Sequence, residues 1–83
     1  DVEVAGTVLD TRGSFVRAAT VVLTDSSGAT RQVRTSSFGR FTFTGIRAGE
    51  TYTLSVNAKG MRFQPQVLVV DDSMTDLSVV AQE

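Results

Sequence analysis

Cysteine, histidine and tryptophan are missing from this 83-residue sequence, and proline occurs once. Without cysteine no disulfide can staple the fold, so packing alone must hold it. Thiolate redox and thiolate zinc chemistry are excluded with it. Without histidine the commonest general base and the usual imidazole ligand of zinc are gone. No run of about 18 apolar residues occurs, so no helical membrane span can be written. Neither sign of charge dominates: 8 basic residues stand against 9 acidic ones, for a net charge of −1. That balance lacks the basic stripe of a nucleic-acid binder. No signal peptide, lipidation cysteine or sorting tail is legible. An exported protein with this sequence would stand here as a mature form or an excised module.

What is present is alternation. A chain this short is expected to make a single domain, residues 1–83, burying only about 60–65% of the surface it exposes unfolded. The stretch from Ser36 to Val56 organises the rest. Phe41 and Phe43, then Tyr52, Leu54 and Val56, recur at every second position, the period of a strand with one buried face. Gly39 and the Gly45–Gly49 stretch supply reversals on either side. Upstream, Val2, Val4 and Val8 share a phase with Gly6, where a missing side chain admits a close neighbour or a bulge. Ala19, Val21 and Leu23 point inward, and so do Val33 and Thr35. Downstream, Val67-Leu68-Val69-Val70 is apolar in both phases, and Leu77, Val79 and Ala81 complete the set. Asp10-Thr11-Arg12-Gly13-Ser14 reads as a polar turn whose glycine supplies positive φ, and Asp25-Ser26-Ser27-Gly28 as a compact turn in which the aspartate accepts from amides ahead of it. Pro65 belongs at an edge or a bulge. About seven strands at a spacing of about 8–12 residues, with no helical period, predict an antiparallel Greek-key β-sandwich.

The order and spacing of these residues resemble a known family. Val4-x-Gly6-x-Val8, Asp10-x-x-Gly13 and Val16-x-x-Ala19-x-Val21-x-Leu23 are one part of the pattern. Gly28, Thr35-Ser36-x-x-Gly39-x-Phe41-x-Phe43-x-Gly45-Ile46, Ala48-Gly49-x-x-Tyr52-x-Leu54-x-Val56, Gly60 and Phe63 are the other. Together they resemble the carboxypeptidase regulatory-like domain, a prealbumin-like sandwich, over nearly the whole chain. The resemblance implies a non-catalytic module of bacterial secreted or cell-surface proteins; the peptidase activity of some relatives resides in another domain. Collagen-adhesin B-type repeats share the sandwich and cross-link through a lysine on the first strand. No lysine stands there in this sequence, and Lys59, the only one, sits in a turn.

The chemistry left to these residues is thin. Serines have no histidine to activate them, and nothing places one at Lys59. Asp71-Asp72 is the only adjacent carboxylate pair, and no spacing matches a calcium loop. No catalytic residue, metal or cofactor is therefore expected. Contact surfaces remain. Phe38 stands at the tip of a Ser-Ser-Phe-Gly turn, where polar residues are usual, and Phe15 is in a similar position. Val22, Leu68, Val70 and Val80 are expected to face away from the core, and clustered apolar residues there would mark an interface. The Val67–Val70 strand carries none of the charges that blunt an edge. Phe38, Val22, Leu68, Val70 and Val80 are thus the candidate interface. The partner is expected to be another protein or the chain itself, joined by strand addition into a filament, with carbohydrate as the third possibility. The expected place of action is the cell surface or the extracellular space.

Overall fold

In the computed structural model, which describes residues 1–82, seven strands stack in two layers. They are β1 (Val2–Leu9), β2 (Thr20–Thr24), β3 (Thr30–Arg34), β4 (Arg40–Ile46), β5 (Glu50–Asn57), β6 (Gln66–Val70) and β7 (Met74–Val80). One sheet has the order β4-β1-β7, the other β3-β2-β5-β6. The chain crosses between layers at β1–β2, β3–β4, β4–β5 and β6–β7. The all-β, seven-strand sandwich read from the alternation is the observed fold. One ladder departs from the antiparallel expectation: β7 runs parallel to β1. The cause is the β6–β7 crossover, which returns the chain to the first sheet in the direction it started.

Burial follows the alternation. Val4, Val8, Phe41, Phe43 and Val79 project from the first sheet, and Val21, Leu23, Tyr52, Leu54 and Val56 from the second, into one continuous core. Phe41 and Phe43 meet edge to face, their ring centroids 6.1 Å apart. Two irregularities interrupt the pairing. Between the Val2–Ile46 and Val4–Phe43 pairs, β4 carries one extra residue. Gly45 lies in that extra stretch with φ +66°, a left-handed conformation that glycine adopts without strain. It therefore serves a bulge inside β4 rather than the turn that follows. Between the Val4–Met74 and Gly6–Leu77 pairs, β7 is the longer side. There Gly6 lets the backbone of Leu77 come close: an added Cβ would lie 2.7 Å from the Leu77 Cβ.

The Asp25 turn is built as its sequence predicts, and the Asp10 turn uses the same carboxylate device. The Asp10 carboxylate accepts from the amides of Arg12 (2.8 Å) and Ser14 (2.9 Å). That of Asp25 accepts from the Ser27 hydroxyl (2.7 Å) and from the amides of Ser27 and Ala29 (2.9 Å each). Donated hydrogen bonds favour the ionised form, so both carboxyls are held below the usual aspartate range. The amide of Ser14 does most for Asp10, and the hydroxyl of Ser27 for Asp25.

Thr35 is the one buried polar side chain among the described residues. Its hydroxyl donates to the Val16 carbonyl (2.7 Å) and accepts from the Ala19 amide (2.9 Å), tying the β1–β2 crossover to the end of β3. Valine at this position keeps the shape and strands both backbone groups. Each stranded group costs about 1–3 kcal/mol, so Thr35→Val should lose about 2–4 kcal/mol in urea unfolding. Thr35→Ser should recover most of it. A valine variant as stable as the wild type would show that the hydroxyl is not the tie.

Candidate interaction surfaces

Strand register decides which apolar residues reach solvent. On β6, Leu68 pairs with Tyr52 and Gln66 with Leu54. Residues directly opposite in a sheet share a face, and Tyr52 and Leu54 face the core. Leu68 and Val70 are therefore inward, 6% and 0% exposed, which corrects the outward placement expected for both. The residues between them are the exposed ones: Val67 at 70% and Val69 at 64%. The expected cluster also divides. Val22 is half-buried on the outer face of the four-stranded sheet. Val80 is exposed on the three-stranded sheet, paired with Leu9. They lie on opposite sides of the sandwich.

Three surfaces result. The first is the outer face of β2, β5 and β6. Thr24 pairs with Thr53 and Thr53 with Val67 in one cross-strand row. Val22 opposite Ser55 and Thr51 opposite Val69 flank it. No charge interrupts these positions, and β6 ends the sheet with nothing paired beyond it among the described residues. The second is a groove of about 460 Å³ where β6 and β7 approach, lined by Gln64, Pro65, Gln66, Ser78, Val80 and Gln82. The Arg62–Gln82 bridge and a Gln82–Gln64 side-chain bond of 2.9 Å close its end. Pro65 thus sits beside the edge strand, as a residue without an N–H should.

The third is the tip formed by Phe38 and Phe15. Phe38 is 67% exposed and does not fold back over the core. Its ring instead meets Phe15 at 6.4 Å and 82°. Gly39 makes this approach possible. Its φ is +69°, and a Cβ there would lie 2.7 Å from the Val8 carbonyl oxygen and 3.3 Å from the Phe15 Cβ. Phe15, for its part, is bridged to Leu9 at the end of β1.

At the opposite end a pocket of about 460 Å³ opens among Asp1, Asp25, Arg31, Ile46, Glu50 and Tyr52. Its walls are pinned. The Tyr52 hydroxyl donates to the Arg47 carbonyl (2.8 Å), and the Arg31 guanidinium donates to the Thr44 carbonyl (2.7 Å) from β3 to β4. Glu50 pairs with Arg47 at 3.7 Å.

The two ends differ in charge. Strand directions put Arg12, Arg17, Arg34, Arg40, Lys59 and Arg62 in the half that holds Phe38, with Asp10 as its one acidic residue. The half that holds Asp1 carries Asp1, Glu3, Asp25, Glu50, Asp71, Asp72 and Asp76 against Arg31 and Arg47. Glu83 lies outside the described residues. The near-zero net charge is therefore a cancellation between about five charges of each sign, separated along an axis 34 Å long. No group of three or more acidic residues is arranged to hold a metal ion among the described residues.

Fold and surfaces together define a small two-layer β module whose unusual features lie on its outside. The chain belongs to the carboxypeptidase regulatory-like domain family, whose model matches residues 3–82. Among curated proteins none matches the sequence significantly. Two solved structures share the fold. The C-terminal fragment of the pilus adhesin SpaC from Lactobacillus rhamnosus GG superposes with a TM-score of 0.64 at 16% identity, over 98% of this chain and 44% of that one. A chain of the type II cohesin–X–dockerin complex from Acetivibrio cellulolyticus, solved as a C-terminal interface mutant, gives 0.54 at 19% identity, over 96% of this chain and 52% of that one. This chain thus spans about half the length of either. The family and these two neighbours are named for regulatory, adhesive and complex-forming domains rather than catalytic ones.

Proposed function

We propose that residues 1–83 form one non-catalytic module that makes protein–protein contact or adhesion outside the cell, at a bacterial surface. The observation that carries this reading is the uncharged outer face ending in the open β6 edge, where Val67 and Val69 stand in solvent. Large apolar side chains on an unblunted edge favour a protein partner, by strand addition or face packing. The pilus adhesin and the cohesin–dockerin complex are the setting in which neighbours of this fold were solved, and they support the extracellular assignment. Carbohydrate binding is less favoured. A sugar is best held on coplanar aromatic rings, and Phe15 and Phe38 stand at 82° to each other.

Two experiments test the reading. Protease treatment of intact producing cells should release the chain, whereas protection until lysis would sink the surface assignment. Immobilised wild-type chain should retain an envelope protein that a Val67→Lys/Val69→Lys variant loses at unchanged melting temperature. Equal retention by both would remove the β6 edge as the contact.

A further inference from the structure

The two ends of the sandwich carry opposite charge, and one of them bears an exposed aromatic pair. We propose that the Phe38 end of one copy docks into the Asp1 end of the next, so that the partner of this module is a second copy of itself, joined head to tail. The inference rests on reading the chain as a protein-contact module and names one partner for it.

Four observations converge. The Phe15–Phe38 pair is an exposed apolar knob held by the Gly39 close approach. The pocket at the other end, about 460 Å³, is lined mainly by charged residues, with Ile46 and Tyr52 almost fully buried, so its attraction is for the arginines that flank the knob. Along the chain the knob is flanked by Arg12, Arg17 and Arg40, and the pocket is rimmed by Asp1, Asp25 and Glu50. Arg31 and Arg47 line this pocket as well, so its own excess of acid is a single charge, and the attraction for an incoming guanidinium comes from the acidic half as a whole.

The geometry also dictates the outcome. Knob and pocket are different surfaces at opposite ends of the long axis, so the contact is heterologous. A heterologous contact between opposite ends leaves a free knob and a free pocket after every addition, up to the closure of a ring where the rotation between copies allows one. Assembly therefore passes beyond the dimer and is indifferent to the β6 edge. Charge separation of this kind steers association and is screened by salt.

Sedimentation velocity on the chain tests this. At about 0.02 M salt the mean mass should climb with concentration and pass beyond dimer, and association should weaken by at least about tenfold at about 0.5 M salt. A Phe38→Ala/Arg40→Glu variant lacks the knob and an Asp1→Lys/Glu50→Lys variant lacks the rim. Each should stay monomeric alone. Mixed, they should form a one-to-one dimer that grows no further, because each supplies the surface the other lost. A wild-type chain that remains monomeric at low salt, or one that stops at a dimer, overturns the proposal. So does assembly that survives both end variants but disappears in Val67→Lys/Val69→Lys. In that last case, contact through the β6 edge would stand while the head-to-tail geometry fell. A monomer that still retains an envelope protein through Val67 and Val69 would likewise separate the two.

Discussion

Gly6→Ala should lower the melting temperature by on the order of 10–30 °C, from the addition of a single methyl group. β1 is the middle strand of its sheet, bonded to β4 on one side and β7 on the other. Gly6 pairs with Phe41 and with Leu77 at once. An added Cβ would overlap the Leu77 carbonyl oxygen and lie 2.7 Å from its Cβ and 2.9 Å from its carbonyl carbon. Carbon atoms in contact prefer about 3.5–4.0 Å. None of the three atoms can rotate away, since all belong to the backbone or are fixed to it. Relief requires β7 to move off β1, opening hydrogen bonds worth about 0.5–1.5 kcal/mol each, on top of about 1–3 kcal/mol for overpacking. Alanine's smaller entropy loss returns less than about 1 kcal/mol. The net loss is about 2–4 kcal/mol, against a total stability of roughly 4–12 for a chain of this length. Circular dichroism on heating measures it. A variant melting within about 2 °C of the wild type would mean that the β1–β7 ladder is not as tight as described.

Phe41→Ala should cost about 3–5 kcal/mol, while Phe38→Ala, three residues earlier, should cost less than about 0.5. The contrast isolates burial from residue type. Phe41 is among the largest fully buried side chains and has the Phe43 ring at 6.1 Å. Its removal loses transfer energy, leaves a cavity, and deletes an aromatic pair worth about 0.5–1.5 kcal/mol beyond its area. The space cannot collapse easily, because the position across β1 is Gly6, which has nothing to fill it. Phe38 gives up only an exposed contact with Phe15. Urea titrations with a common m-value would measure both losses. Similar losses at the two positions would contradict the assignment of Phe41 to the core and Phe38 to the surface.

The two phenylalanines also mark what the sequence makes readable. Phe41, Phe43, Tyr52, Leu54 and Val56 announce their face because polar or small residues separate them, and all five are buried. Val67 to Val70 offers no such contrast. All four residues are apolar, so the phase of β6 is set by the Leu68–Tyr52 register alone, and a slip of one residue would exchange the faces. That is why Leu68 and Val70 were expected outside and Val67 and Val69 are found there. Gly6 is legible as a place of close approach and Gly39 as a reversal, but what approaches each of them comes from β7 and β1, strands distant in the chain.

Charge gives the sharpest division. Composition states that 8 basic and 9 acidic residues nearly cancel. It cannot state that the cancellation is between opposite ends. Arg12 lies two residues from Asp10, and Arg47 three from Glu50, so signs alternate locally. Only when the strands are given directions, with β7 parallel to β1, does each turn acquire an end and the charges separate along the long axis.

Local patterning was thus enough to specify seven strands, their buried faces where polar residues alternate, and the aspartate-locked turn at Asp25. These depend on residues within a few positions of one another, and backbone geometry translates such spacing directly into sidedness. The parallel ladder, the outward valines of β6, the Phe15–Phe38 tip and the two-ended charge were decided by tertiary structure. Each is a relation between segments distant in sequence, fixed by how the strands cross between the layers and in which register they pair.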